Sequence, residues 1–137
     1  MLILSTPFIM RIAILSDIHA NLIALQVVLA EIDRLAPDTI WCLGDIVGYG
    51  PEPQACADLI RERAAVCLAG NHDLAVIGKT PLADFNDIAA YAARWQREHL
   101  RPETVDWLGA LPSRREVNEI TLVHGSPRDP IWEYVSD

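Results

Sequence analysis

A chain of 137 residues, 51% of them hydrophobic, is long enough to bury one core and too apolar to be disordered. Its formal net charge of −8 argues against nonspecific binding to nucleic acid or to an anionic membrane, both of which need a cationic surface. Three cysteines, Cys42, Cys56 and Cys67, form no C-x-x-C pair and lie in apolar stretches, so they read as small buried hydrophobes in a reduced, cytoplasmic setting.

Residues 1–10 are apolar but lack a basic region and a small-residue cleavage site, and they are too short to span a bilayer. They read as neither signal peptide nor anchor. The reading is an N-terminal extension over residues 1–9 ahead of one domain over 10–137. That domain opens on Ile12-Ala13-Ile14-Leu15, an apolar run that predicts a buried strand and gives way to Ser16-Asp17-Ile18-His19. Asp17-x-His19 offers one hard oxygen and one nitrogen to a divalent cation, although taken alone it serves equally well as a helix cap.

Leu22, Leu25, Val28, Leu29, Ile32 and Leu35 recur at helical spacing and predict a helix over 21–35 that packs one face on a sheet, stopped by Pro37. Thr39-Ile40-Trp41-Cys42-Leu43 predicts a second buried strand running into Gly44-Asp45. Pro51 and Pro53 open a short helix with Cys56, Leu59 and Ile60 inward. Ala65-Val66-Cys67-Leu68 predicts a third strand ending at Gly70-Asn71-His72-Asp73, where Asp73 reads as a helix N-cap in preference to a residue that orients the site from behind. Three repeats of strand, polar loop and helix predict a parallel sheet with polar side chains at every carboxyl end, the edge where open α/β sheets bind ligands.

Residues 74–86 read as a loop over that edge. A helix follows over 87–100, with Ile88, Tyr91, Ala92 and Trp95 on its apolar face, and a shorter one over 103–110. A hairpin around Asn118-Glu119 brings a last strand, Ile120-Thr121-Leu122-Val123, to His124-Gly125. Trp41, Trp95 and Trp107 read as core aromatics, and Trp132 with Ile131 and Tyr134 as a terminal segment packed on the body. His99 reads as a helix residue rather than a ligand. Arg61, Arg63, Arg114 and Arg115 read as solvated, and Arg128 beside the sheet edge as a solvated or phosphate-binding arginine.

Four strand ends thus carry Asp17 and His19, Asp45, Asn71 and His72, and His124, enough oxygen and nitrogen donors for two adjacent cation sites. Two cations roughly 3.5–4 Å apart can clamp both the attacking and the leaving oxygen of a phosphoryl group. Gly48-Tyr49-Gly50 is too short for a dinucleotide fingerprint, and there is no Gly-Lys-Ser/Thr phosphate loop.

In order, Asp17-x-His19, Gly44-Asp45-Ile46-Val47-Gly48, Gly70-Asn71-His72-Asp73 and Val123-His124-Gly125 resemble the successive motifs of the calcineurin-like metallophosphoesterases, in their compact bacterial and archaeal branch. The resemblance implies an α/β sandwich of αββα layers, truncated here in its second sheet. It implies that Asp17 and His19 bind a first metal, that Asp45 bridges, that Asn71 and His124 bind a second, and that His72 faces the phosphoryl group as the catalytic residue. The implied activity is hydrolysis of a small phosphomonoester, phosphodiester or nucleotide by a hydroxide bridging two divalent ions, whether Mn, Fe, Ni or Zn. The alternative is a non-catalytic metal-binding or assembly module on the same scaffold.

Two departures stand out. Gly48 occupies the position of an acid that pairs with the catalytic histidine in many relatives, and the closing Gly-His-x-His motif is absent. The favoured expectation is a fragment of a longer gene product, ahead of a short protein completed by dimerisation or a degenerate relative. An unfinished second sheet would leave an open edge, which predicts homo-oligomerisation.

Overall fold

A computed structural model describes residues 10–135, and the expected N-terminal extension over 1–9 lies outside them. β1 (Ile12–Leu15), β2 (Thr39–Cys42) and β3 (Val66–Cys67) form a parallel sheet in the order β1-β2-β3. The crossovers are α1 (Leu22–Leu35) and α2 (Pro53–Arg63). Both helices cover one face of the sheet, where Leu25, Leu29, Ile32, Cys56 and Ile60 meet Ile40 and Cys42. β4 (Arg114–Val117) and β5 (Ile120–Val123) form an antiparallel hairpin on the opposite face, where Leu122 packs with Trp41, Val66 and Leu68. The layers are therefore helix, parallel sheet, second sheet. Among the described residues no helix is long and apolar enough to cross a membrane.

Local chemistry sets the element ends. Asn21 caps α1 by accepting from Ala24 N at 3.1 Å, and Pro53 and Pro102 sit in the first turns of α2 and α5 (Pro102–Ala110), where a missing N–H costs nothing. Asn86 caps α4 (Asp87–His99) in the same way as Asn21.

Several expectations change. β1 is an edge strand, so Ile14 is 56% exposed rather than buried. On α1 the buried stripe narrows to Leu25, Leu29 and Ile32, and Val28 and Leu35 face outward. Residues 74–86 are not all loop: α3 (Asn71–Val76) runs through their start, and a 3-10 turn follows at Leu82–Asp84. The largest reversal is on α4. Its buried face is Ala89, Ala92, Ala93 and Gln96, while Ile88 and Tyr91 are 75% and 69% exposed. Small side chains let α4 approach closely, and Gln96 turns inward because the loop it meets presents backbone polar groups. Trp41 is in the core, but Trp95 and Trp107 are only half-buried. Trp132 does pack inward, its ring 5.2 Å from Phe85, whereas Tyr134 is exposed.

Asp73 is not the N-cap of α3. Gly70 holds that position, and the fully buried Asp73 carboxylate accepts from four backbone N–H groups: Asp45, Ile46, Val47 and Gly70, at 2.8–3.0 Å. It ties the end of β2 to the start of α3. Asp73→Ala would strand those buried donors at a cost of about 3–5 kcal/mol. The expected result is a melting temperature lower by about 10 °C or more in a thermal scan. An unchanged melting temperature would show that the donors find other partners.

Candidate metal centre

The loops after β1 and β2 travel together. The N–H groups of Asp17, His19 and Ala20 donate to the carbonyls of Gly44, Asp45 and Ile46 at 3.1, 2.9 and 3.0 Å. To do so, Asp17, His19 and Asp45 adopt left-handed backbone conformations, with φ of 56°, 51° and 54°. Such conformations are costly for residues with side chains and concentrate at functional sites. Gly44 and Gly70 allow the two loop ends to touch: a Cβ on Gly70 would lie 2.0 Å from Asp45 Oδ1.

The result is a cluster centred on Asp45, whose side chain is 3% exposed. Its Oδ1 accepts from the N–H of His72 at 2.9 Å, which leaves Oδ2 facing the site. That oxygen lies 3.7 Å from His19 Nε2 and 3.5 Å from His124 Nε2. His19 Nε2 is also 3.7 Å from Asp17 Oδ1, and His124 Nε2 is 3.2 Å from Asn71 Oδ1. The ring of His72 stands 4.8 Å from that of His19. Every residue expected at the sheet edge is brought there, from four different strand ends. Asp17, Asp45 and His124 bring donor atoms within 4.8 Å of one another, as do His19, Asp45 and His72.

The donor set fits divalent cations. His19 and His124 each turn Nδ1 to a backbone carbonyl, of Val47 at 3.3 Å and Leu43 at 3.0 Å. A carbonyl only accepts, so the ring proton sits on Nδ1 and the Nε2 lone pair faces the centre, as in histidine metal ligands. His124 Nε2 and Asn71 Oδ1 then meet at 3.2 Å as two atoms that a shared cation can take as ligands. Nδ1 of His72 is buried without a hydrogen-bond partner.

Electrostatics point the same way. Burial pushes the Asp45 carboxyl up to about 7, with Asp17 adding to the effect and the His72 N–H opposing it. Burial pushes His72 down to about 4, helped by the neighbouring imidazoles of His19 and His124, and burial also lowers His19. Burial thus disfavours both the Asp45 carboxylate and the protonated forms of His72 and His19, and bound positive ions would favour the carboxylate.

Arg128 does not face the cluster. Its guanidinium is engaged by Glu133, which also accepts from Ser126. His99 stacks on Trp95, ring centres 3.9 Å apart, away from the site. Two residues went unnoticed in the sequence as parts of the site. Tyr49 lays its ring 4.6 Å from His72 and 5.0 Å from His19. Gln96, fully buried, accepts from Gly48 N and donates to Gly50 O, both at 2.6 Å, and so pins the loop carrying Tyr49. The signal for Gln96 was a lone amide on the alanine stripe of α4.

The family model for calcineurin-like phosphoesterases matches residues 10–137. An uncharacterized protein of Methanocaldococcus jannaschii, MJ0912, is 42% identical over 129 residues, covering 90% of this chain and 53% of its own. A symmetrical bis(5'-nucleosyl)-tetraphosphatase of Shewanella baltica is 30% identical, covering 85% of this chain and 44% of its own. The crystal structure of a metallophosphoesterase from Sphaerobacter thermophilus superposes with a TM-score of 0.79 at 50% identity, over 92% of this chain and 51% of that one. The chain thus spans about half the length of these relatives. With the motifs, the layered fold and the family match in agreement, the chain belongs to the calcineurin-like phosphoesterases.

Proposed function

We propose that the Asp45 cluster holds two divalent cations and hydrolyses a small phosphoester, whether monoester, diester or nucleotide. The observation that carries this reading is the position of one buried carboxylate oxygen, Asp45 Oδ2, between Nε2 of His19 and Nε2 of His124. A shared carboxylate is what two neighbouring cations need. The name of the Shewanella relative, a bis(5'-nucleosyl)-tetraphosphatase, is in keeping with a phosphoric substrate.

Asp17 and His19 would hold one ion, Asn71 and His124 the other, and Asp45 would be shared between them. Cations bound there would activate water at neutral pH and offset charge on the phosphoryl oxygens. His72 is left to act on the substrate: its backbone N–H steadies Asp45, its Nδ1 is buried against Gly48 without a partner, and its other ring nitrogen can give or take a proton on the phosphoryl side. Gly48 allows this packing, since a Cβ there would stand 2.8 Å from the His72 ring. The ring is therefore oriented by packing against Tyr49 and Phe85 rather than by an acid. The donors are nitrogen and oxygen, which suits Mn, Fe, Ni or Zn. Unpaired thiols at Cys42, Cys56 and Cys67 are in keeping with a reduced, cytoplasmic setting.

The rival is a metal-binding module without turnover on the same cluster. Assays with p-nitrophenyl phosphate and bis(p-nitrophenyl) phosphate across the four cations separate the two. Hydrolysis that falls more than about 100-fold in Asp45→Asn supports the enzyme, because even outer partners of metal ligands cost 10–100-fold. No hydrolysis with any cation supports the module.

Metal affinity also carries a sign in pH. Burial pushes the Asp45 carboxyl up to about 7, so protons compete for it below that value and leave it free above. Titration calorimetry with Mn2+ should show affinity weakening about tenfold per unit as pH falls below 7, and levelling off above it. A flat profile from pH 5 to 8 would remove Asp45 from the ligand set.

A further inference from the structure

Tyr49 has two sides. One packs against His72 and His19; the other forms a wall of a separate groove of about 290 Å³, completed by Pro51 and by Ile88, Tyr91 and Trp95 of α4. This is the face of α4 that the sequence pattern assigns to the core and the fold turns outward, leaving Ile88 and Tyr91 mostly exposed. No charged side chain lines it. Exposed aromatic area of this size is expensive unless something planar covers it.

The groove is also built. Tyr49 stands in a left-handed backbone conformation, with φ of 55°, and its hydroxyl accepts from Asn86 Nδ2 at 3.3 Å. Gln96 fixes the Gly48–Gly50 backbone from below through its two hydrogen bonds, so the shared wall is held in place from α4 itself. One rigid ring therefore separates the cation cluster from an uncharged aromatic slot. A molecule with a phosphate at Asp45 and a flat ring one side chain away would occupy both.

We propose that this groove seats the planar ring of an aromatic phosphoester, a nucleobase in a nucleotide substrate, stacked against Tyr91 and Trp95. The proposal rests on the hydrolytic reading of the Asp45 cluster and adds its substrate class. Stacking tolerates any base, because every base offers a π face. Aliphatic phosphoesters would gain nothing from the slot.

The experiment uses two probes. Adenosine, which has no phosphate, is titrated without metal while the Tyr91 and Trp95 resonances are followed by NMR. Hydrolysis of adenosine 5'-monophosphate and of glycerol 2-phosphate is then compared with metal present. The expected results are adenosine-dependent shifts confined to the groove, and in Tyr91→Ala a dissociation constant for adenosine and a KM for the nucleotide both raised about 5- to 100-fold. Tyr91→Phe retains binding, and glycerol 2-phosphate turnover is unchanged in either variant.

Absence of shifts at millimolar adenosine overturns the proposal, as does indifference to Tyr91→Ala. Self-association of the wild type that Tyr91→Ala abolishes also overturns it, since the groove would then be covered by a second copy. Adenosine binding that depends on Tyr91, with no hydrolysis of either ester, supports the groove as a base-binding slot and defeats only the hydrolytic reading.

Discussion

Everything at the sheet edge depends on the Asp73 carboxylate. Buried and accepting from the N–H groups of Asp45, Ile46, Val47 and Gly70, it holds the loop after β2 and the first turn of α3 in one piece. That fixes Asp45 and His72, and His72 in turn donates back to Asp45. Burial and the nearby Asp45 carboxylate push Asp73 up to about 7, while the backbone donors pull it down. Two carboxylates this close and this dry are costly to keep ionised. Positive ions on the far side of Asp45 would relieve both, so the architecture and the chemistry ask for the same thing.

The strain in the neighbouring loops fits that view. Asp17, His19 and Asp45 all take left-handed backbone conformations, each costing on the order of 1 kcal/mol or more, and they do so in register across two strand ends. A fold selected for stability alone would place glycine or asparagine there. The side chains that stand there bring the oxygen and nitrogen donors of the cluster together.

Much of this was legible in the sequence, for definite reasons. Aliphatic runs ending in Asp17 and Asp45 announce strands whose polar tips must meet in a parallel sheet, and the meeting is observed, with His124 brought to the same edge by the hairpin of the second sheet. Spacing along the chain suggests Asp17 beside His19, and the two stand 3.7 Å apart, with His124 likewise 3.2 Å from Asn71. The face of α4 was misjudged because Ile88, Tyr91 and Trp95 outweigh alanine in any hydrophobic pattern. What decides the buried face is close approach, which favours Ala89, Ala92 and Ala93, and the need of the Gly48–Gly50 backbone for the amide of Gln96. Ile14 follows the same logic in reverse: its alternation is right for a strand, but an edge strand has a neighbour on only one side.

The central claim is that Asp45 is shared by two cations. Crystals soaked with manganese and measured by anomalous diffraction test it most directly. The account predicts two anomalous peaks roughly 3.5–4 Å apart with Asp45 between them. One peak distant from Asp45, or none at saturating manganese, would contradict it.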